Sequence, residues 1–323
     1  MKADPLDGRT PVTLISGWLG SGKTTLLNRI LSNPNGQRFA VLVNEFGDIG
    51  VDDRLVVRSD DSVVELSNGC VCCTVRGDLV KTLLNLQKRR PPFFRKRKFD
   101  RVLIETTGVA EPAPLLRTFL IEEQIAENFR VDALVTLVDS KHASSALNEP
   151  AAEEQIALAD VLLLNKTDLA EDTALHELRE QLSRRNPIAA VFECIQSEVD
   201  LHEVLAQRAQ QALPETHTHH AGDGHAEISS ICLRESRPLD PLQTQLWLNS
   251  CAALLSGKLI RYKGFLHFDG EPNQAILQGV YELYTVSAGE PWDKDEPRIT
   301  ELVFIGRDLE EAFLRHGLEA CLA

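Results

Sequence analysis

The segment from Gly17 to Thr24, GWLGSGKT, combines glycines, a lysine and a hydroxyl residue at a spacing that suits phosphate binding. Glycines let backbone N–H groups turn inward around phosphate oxygens, and the N-terminus of a following helix adds partial positive charge. In such a loop, Lys23 would neutralise oxygens of the β- and γ-phosphates, and the Thr24 hydroxyl would bind Mg²⁺. The pattern G-x-x-x-x-G-K-T between a predicted strand and a predicted helix therefore indicates a nucleoside-triphosphate site.

A second group of residues, Asn165 to Asp168 with the sequence NKTD, has the chemistry to select the base. The Asp168 carboxylate can accept hydrogen bonds from both N1–H and N2–H of guanine, a charge-assisted pair that adenine does not offer. Asn165 and Lys166 would brace the loop and stack on the base. Because these residues follow an apolar predicted strand, the sequence favours GTP and GDP over adenine nucleotides and argues against a small-molecule kinase.

A carboxylate for the magnesium ion is expected at Glu105, which directly follows an apolar predicted strand. The sequence E-x-x-G then places Gly108 where its backbone N–H can approach the γ-phosphate, although most P-loop GTPases have Asp at the first position. The segment 44–52 follows the second predicted strand, where a nucleotide-responsive switch should lie, but it contains no threonine. Asp48, Asp52 or a water could take that role, and the sequence does not choose among them.

Three cysteines are crowded into one short segment, at Cys70, Cys72 and Cys73. Thiolates bind soft or borderline metals such as Zn²⁺, and three sulfurs would leave one tetrahedral position open for a transient ligand or a client's residue. Such a site suits a metal that must be released. Buried thiols, or a redox pair formed by Cys72 and Cys73, are the alternatives. The remaining cysteines are scattered along the chain and are predicted to be core thiols: Cys194, Cys232, Cys251 and Cys321.

Further candidate metal ligands are four histidines in a segment that interrupts the periodic pattern and one glutamate expected near the phosphate loop. The histidines could form an auxiliary metal site that raises the local metal concentration, or they could belong to a solvated linker. The glutamate could be an extra metal ligand, or it could brace its own loop. These candidates are His217, His219, His220, His225 and Glu45.

The elements that must position these residues alternate between short apolar runs and amphipathic stretches over the first part of the chain. Strands are predicted at 12–16, 39–43, 63–66, 101–104, 133–138 and 161–164, and helices at 23–31, 75–87 and 171–184. Continuously apolar strands between helices predict a mostly parallel sheet covered on both faces, with ligands bound at the shared carboxyl edge. The phosphate loop, the cysteine segment and Glu105 all follow strands, so the metal site is expected near the γ-phosphate.

The second part of the chain places strands next to strands. Strands are predicted at 228–233, 258–268, 274–283 and 301–305, and helices at 240–255 and 309–318. The predicted fold class is therefore α/β: a P-loop NTPase domain with a mostly parallel sheet, plus a smaller C-terminal α+β domain with an antiparallel sheet. The predicted boundaries are 1–210 for the first domain, 211–227 for a histidine-containing linker and 228–323 for the second domain.

Composition limits the functional classes. The chain has 323 residues, enough for about two domains. Its net charge of −14 argues against general nucleic-acid binding, which relies on Lys and Arg at phosphates. The apolar runs are far shorter than the roughly 20 residues of a membrane-spanning helix, and the N-terminus lacks the apolar core of a secretory signal. We therefore expect a cytoplasmic protein whose partners are neither nucleic acid nor membrane.

Five motifs occur in one order along the chain: GWLGSGKTT, VNEFGDIGVD, NGCVCC, IETTGVAEP and NKTD. With these motifs and the later segment RYKGFLHFDGEPNQAILQGV, the chain closely resembles the CobW-like metallochaperone P-loop GTPases. The resemblance implies GTP hydrolysis coupled to delivery of a metal, most often zinc, to client proteins. It implies Mg²⁺ at Thr24 and Glu105, which with Lys23 would carry hydrolysis, and metal at the three crowded cysteines. Together with the loop chemistry, the expected nucleotide contacts are Gly17, Gly20, Ser21, Gly22, Lys23, Thr24, Thr25, Gly108, Asn165, Lys166 and Asp168.

The leading hypothesis is a GTP-hydrolysing zinc chaperone in which GTP binding orders 44–52 and Gly108 and thereby creates or exposes the thiolate site. A nickel- or cobalt-delivery GTPase serving one metalloenzyme is the first alternative, which the histidines allow. A nucleotide-responsive metal buffer without productive turnover is the second. Slow intrinsic turnover is expected without a partner, because no general base is evident. The motifs leave the client and the oligomeric state open.

Overall fold

The computed structural model describes residues 8–34, 36–43, 63–65, 76–88, 99–200, 204, 228–293 and 297–323. The chain divides into two compact units, one of Met1–Arg179 with Ala189–Gln210 and one of Glu180–Ile188 with Gln211–Ala323. The predicted histidine-containing linker lies outside the described residues, so the domain boundaries proposed from the sequence stay predictions.

The first unit is built on a parallel sheet. Its strands are β1 (Thr10–Gly17), β2 (Phe39–Val43), β3 (Val63–Glu65), β4 (Arg101–Glu105), β5 (Phe129–Asp139), β6 (Val161–Asn165) and β7 (Ala190–Glu193). Within the described residues these seven strands lie in the order β3-β2-β4-β1-β5-β6-β7, and every neighbouring pair is parallel. β1, β4 and β6 are buried along their whole length, which matches the mostly apolar residues at their centres.

Helices follow most strands of this unit. They are α1 (Lys23–Ser32), α2 (Arg76–Lys88), α3 (Ala113–Ile121), α4 (Glu123–Ala126), α5 (Ala143–Ala146), α6 (Pro150–Ala157) and α7 (Asp172–Arg185), with a 3₁₀ turn at Thr167–Leu169. Leu27 and Ile30 of α1 pack in one core cluster with Ile15 of β1 and Leu163 of β6. This packing fixes the start of α1 against the carboxyl ends of the central strands, where the predicted site residues lie.

The second unit is an antiparallel sheet with helices. Its elements are β8 (Ile228–Glu235), α8 (Pro241–Leu254), β9 (Leu259–Leu266), β10 (Asn273–Val280), β11 (Leu283–Pro291), β12 (Thr300–Arg307) and α9 (Glu311–Glu319). The described strands lie in the order β11-β10-β9-β12-β8. Its core contains Trp247, Tyr262 and Phe304, and the rings of Tyr262 and Phe304 are stacked with centroids 5.9 Å apart.

The predicted fold class is confirmed, with a parallel sheet followed by a smaller antiparallel one. The predicted strand over 274–283 is wrong at its end, because β10 stops at Val280 and β11 returns from Leu283, its pairing partner. The turn between them contains Tyr281 at a φ of 53°. Gly, Pro, Asn and Asp are the residues that usually indicate a turn, and tyrosine is not one of them. The hairpin between β10 and β11 could therefore not be predicted from this residue.

Two further features are the burial of the scattered cysteines and the length of the apolar helices. The four scattered cysteines are confirmed as core thiols, with exposed fractions of 5%, 8%, 0% and 1% for Cys194, Cys232, Cys251 and Cys321. None of the helices in the described part of the chain combines the length and apolarity needed to cross a membrane.

Candidate nucleotide site

The loop between β1 and α1 requires glycine at two of its positions. Gly17 has a φ of 137°, and a Cβ atom there would lie 2.4 Å from the carbonyl oxygen of Leu137. Gly22 has a φ of 108°, and a Cβ atom there would lie 2.4 Å from Nδ2 of Asn165. Both positions lie in the left-handed region and both are closely packed, so a side chain would force the loop away from its neighbours.

Lys23 folds back over this loop. Its Nζ donates hydrogen bonds to the carbonyl oxygens of Gly17 at 2.8 Å and Trp18 at 3.1 Å. Burial lowers the pKa of the ammonium group below its usual value, while the nearby charge of Glu105 acts in the opposite direction. The ammonium group is therefore already positioned at the loop, where a phosphate group would satisfy it better than neutral carbonyls do.

The start of α1 has two more features that suit an anion. No side chain among the described residues caps its N-terminus, and its first turn contains no acidic residue. The hydroxyl of Ser21 is fully buried and has no hydrogen-bond partner in the described part of the chain. Backbone N–H groups at a helix N-terminus bind phosphate readily. These donors and the Lys23 ammonium group thus fit a polyphosphate at the loop.

Thr24, in the first turn of α1, contacts Glu105 at the end of β4. The Thr24 hydroxyl donates to Oε1 of Glu105 at 2.8 Å, and Glu105 pairs in the sheet with Ile15, just before the loop. Glu105 is 6% exposed. A hydroxyl and a carboxylate are hard oxygen ligands of the kind that Mg²⁺ prefers. The residues present therefore fit a magnesium ion, which Thr24 and Glu105 would hold next to the phosphates.

The segment after β4 returns to the phosphate loop. The backbone N–H of Thr106 donates to the carbonyl oxygen of Ile15 at 2.9 Å. A Cβ atom on Gly108 would lie 2.6 Å from the backbone nitrogen of Leu19, at the exposed tip of the loop. Glycine at this position allows two backbone segments to touch. The structure thus brings Gly108 to the phosphate loop, which is where the sequence-based expectation placed it.

Asn165, at the end of β6 where the nucleotide base is expected to bind, contacts the same phosphate loop. Its Nδ2 donates to the carbonyl oxygen of Ser21 at 2.8 Å, and its Oδ1 accepts from the backbone N–H of Ser197 at 2.9 Å. The Ser197 hydroxyl in turn donates to the carbonyl oxygen of Gly22 at 3.2 Å. Asn165 is 2% exposed, so this side chain braces the loop rather than facing a ligand.

Lys166 and Asp168 lie at the surface beyond Asn165. Lys166 has a φ of 61°, and its Nζ lies 2.7 Å from Oδ2 of Asp139 at the end of β5. Burial by itself would raise the pKa of Asp139, but hydrogen bonds from Lys166 and His142 and the charge of Lys166 hold it below its usual value. Asp168 is exposed in the 3₁₀ turn. A carboxylate in this position is open to a guanine edge.

The structure brings together most of the site residues that the sequence predicts within the described ranges. Thr25 is exposed on the first turn of α1, and Gly20 lies in the exposed part of the loop with a φ of 72°. The remaining candidates, Glu45, Cys70, Cys72, Cys73, His217, His219, His220 and His225, lie outside the described residues. Among the residues that are described, no group of three or more His, Cys, Asp or Glu side chains is arranged to hold a metal ion.

Two residues of the site were not predicted from the sequence. Ser197 follows β7 in a turn where Gln196 has a φ of 52° and Ser197 has a φ of 59°, and it reaches the phosphate loop across 175 positions of the chain. Asp139 is the ion-pair partner of Lys166. The signal that could have found them is their place at or just beyond the carboxyl end of a strand of the parallel sheet, at the edge where ligands bind.

Comparisons with known proteins agree with this geometry. Residues 11–193 match the family model for the CobW/HypB/UreG nucleotide-binding domain, and residues 228–322 match the model for the cobalamin synthesis protein cobW C-terminal domain. The zinc chaperone YjiA of Escherichia coli (strain K12) is 36% identical over 312 residues, which cover 94% of this chain and 96% of YjiA. The zinc chaperone CobW of Pseudomonas aeruginosa is 33% identical over 355 residues, which cover 98% and 92%.

A solved structure extends the similarity to three dimensions. It is a Zn(II)-bound YjiA GTPase in which one glutamate and two cysteines are replaced by alanine, and it has a TM-score of 0.73 at 32% identity. The similarity covers 98% of this chain and 99% of that chain. The family expected from the sequence motifs is confirmed. The chain belongs to the CobW family of metallochaperone GTPases, with both the nucleotide-binding domain and the CobW C-terminal domain.

Proposed function

We propose that this chain hydrolyses GTP to GDP and phosphate, binds zinc as cargo at Cys70, Cys72 and Cys73, and transfers the zinc to client proteins under nucleotide control. The observation that carries the nucleotide half of the proposal is the hydrogen bond from Thr24 to Glu105. It places a hydroxyl and a carboxylate beside a lysine at a helix N-terminus, the set of groups that a nucleoside triphosphate with magnesium requires.

The residues of the chain have distinct roles in the proposed hydrolysis. Lys23 exchanges the two loop carbonyls for β- and γ-phosphate oxygens and stabilises the charge that develops on them as the terminal bond breaks. Thr24 and Glu105 hold Mg²⁺, which when bound neutralises phosphate charge. Asp168 selects guanine through N1–H and N2–H. The backbone near Gly108 closes the site on the γ-phosphate side, where a positioned water attacks.

The cargo half of the proposal rests on the spacing of the three crowded cysteines and on the names of the similar proteins, which are zinc chaperones. The other thiols are poor competitors for zinc. Burial raises the pKa of Cys194, Cys232 and Cys321 to about 11 and that of Cys251 to about 12. At neutral pH these four groups stay protonated, and zinc binds the thiolate form.

Zinc binding alone does not identify the site, because the YjiA variant that lacks one glutamate and two cysteines still has bound zinc. The test is therefore a titration of the full chain with Zn²⁺ against a chelating indicator, repeated with Co²⁺ to detect thiolate-to-cobalt charge-transfer absorption. We expect Cys72→Ser to weaken zinc binding by at least about 10-fold and to diminish that absorption. The matched control is Cys232→Ser, which removes a buried thiol of the second unit and should change neither measurement. Equal affinity and absorption in Cys72→Ser and the wild type would rule out the thiolate site.

A further inference from the structure

The segment between β4 and α3 is held from one side by the helix α6. Nε2 of Gln155 donates to two carbonyl oxygens of this segment, Gly108 at 3.1 Å and Ala110 at 3.0 Å. The neighbouring Glu154 accepts a hydrogen bond from the backbone N–H of Ala113 at 3.2 Å, where α3 begins. Two consecutive residues of one helix therefore hold the segment that contacts the tip of the phosphate loop at Gly108.

The helix that carries Gln155 is itself fixed to the sheet. The hydroxyl of Thr136 in β5 donates to the backbone carbonyl of Gln155 at 2.9 Å. Gln155 is 1% exposed and Thr136 is 1% exposed, so water does not compete for these bonds. A few residues further on, β6 begins, and it ends at Asn165 on the base side of the site. The amide of Gln155 is thus a rigid, buried group beside the segment that faces the γ-phosphate.

We propose that Gln155 is a positioning residue for GTP hydrolysis, which holds the backbone at Gly108 and Ala110 in the orientation that closes the site around the γ-phosphate. The inference rests on the proposed GTPase activity. Because a peptide group is planar, fixing the carbonyl of Gly108 also fixes the direction of the N–H group of Val109. The amide of Gln155 acts on these backbone groups and does not itself touch the nucleotide.

Only an amide of this length satisfies both carbonyls. The NH₂ group of glutamine has two N–H donors, and both are used here. A leucine has similar volume but no donor, and a glutamate would bring carboxylate oxygens against two carbonyl oxygens. Either replacement would remove the side-chain donor from the buried carbonyl of Gly108 and the partly buried carbonyl of Ala110, and so loosen the hold of α6 on the segment.

The experiment measures kcat and KM for GTP, the Kd for GDP and the melting temperature of the full chain. Gln155→Leu should lower kcat by about 10-fold, the effect of removing one buried and one partly buried hydrogen bond. KM for GTP and Kd for GDP should stay within about threefold, because the loop and the base side are untouched. Gln155→Asn keeps the amide but shortens it, and should lower kcat by less. It serves as the test if Gln155→Leu does not fold.

Thr136→Val is the matched control. It removes one buried hydrogen bond to the backbone carbonyl of Gln155 and leaves the side-chain amide of Gln155, which contacts Gly108 and Ala110, chemically intact. We expect it to lower the melting temperature as much as Gln155→Leu while kcat stays within about twofold of the wild type. Equal kcat values in Gln155→Leu and Thr136→Val would overturn the proposal, as would a parallel loss of GDP affinity. A wild-type chain without GTP turnover would contradict the proposed function itself, whereas normal turnover with an unaffected Gln155→Leu variant would contradict the inference alone.

Discussion

The two sides of the nucleotide site are built differently. On the phosphate side the functional groups are bonded to one another, Lys23 to the loop carbonyls and Thr24 to Glu105. Lys23 and Glu105 are buried, and Thr24 is half-buried. On the side where the base is expected to bind, Asp168 is exposed. The side chain of Asn165 is hydrogen-bonded within the protein and braces the phosphate loop. On the phosphate side, Lys23 and Thr24 must therefore break hydrogen bonds within the protein before they can bind a ligand. On the base side, the Asp168 carboxylate is already accessible.

Under the proposed function, this difference predicts that hydrolysis and nucleotide choice depend on separate residues. Substitutions on the phosphate side should change turnover and alter internal packing as well. Substitutions on the base side should change which nucleotide binds and leave the chemical step intact. Asn165 joins the two sides, because it contacts Ser21 in the phosphate loop. Variants on each side can therefore separate the two sides or show that they act as one.

The largest effect is expected at Lys23. Lys23→Ala removes the ammonium group that would stabilise charge on the transferred phosphate, so kcat for GTP should fall by roughly 100- to 1,000-fold. The measurement is phosphate release under saturating GTP. Lys258→Ala, which removes an exposed lysine of the second unit, is the control and should have normal turnover. A kcat close to the wild-type value in Lys23→Ala would show that the loop is not the catalytic centre.

A smaller and more selective effect is expected at Asp168. Hydrogen bonds to a charged group contribute about 1.5–3 kcal/mol, so Asp168→Asn should reduce the preference for GTP over ATP in kcat/KM by about 10- to 100-fold. An asparagine N–H can donate to the C2 carbonyl of xanthine, so xanthosine triphosphate should become a better substrate for the variant than for the wild type. The control is Asp172→Asn, which changes an exposed carboxylate at the start of α7. An unchanged preference for GTP would show that Asp168 does not contact guanine.

The smallest effect is expected at Asp139, whose side chain pairs with Lys166. Because this pair is partly exposed, Asp139→Asn should lower the free energy of unfolding by less than about 1 kcal/mol and weaken GTP binding by only about two- to threefold. The pKa of Asp139 is below its usual value, so its contribution is complete above the unfolded-state pKa of about 3.9 and disappears as the pH falls through the lower folded-state value. Denaturant unfolding at pH 7 and at pH 3 measures this difference. A larger effect of the substitution at pH 3 than at pH 7 would contradict the assignment.

Sequence reasoning succeeded where a short motif carries its own chemistry. The loop that begins at Gly17 and the residues Glu105 and Asn165 could be placed because each lies at the carboxyl end of a mostly apolar strand. Once those strands are parallel, their carboxyl ends lie at one edge. The local pattern therefore predicted that these residues meet at one edge of the sheet, and their roles stay predictions.

The same reasoning missed residues whose roles arise only from tertiary contacts. Gln155 lies in a helix that the sequence analysis did not identify, and its amide contacts backbone atoms more than forty positions earlier. Ser197 follows β7, the edge strand of the described sheet, and contacts the phosphate loop at Gly22. Neither residue belongs to a local pattern, because the groups that they bind are backbone carbonyls, which every residue type provides.

The central claim is that the nucleotide controls the metal site, and it is tested most directly by the zinc affinity of the full chain with a non-hydrolysable GTP analogue, with GDP and without nucleotide. We predict that zinc binds about 10-fold more tightly with the GTP analogue than with GDP, a coupling of typical size between two sites. By linkage, zinc must then increase the preference for the analogue over GDP by the same factor. Equal zinc affinities in all three conditions would contradict the proposal and leave a metal-binding protein whose nucleotide does not control its cargo.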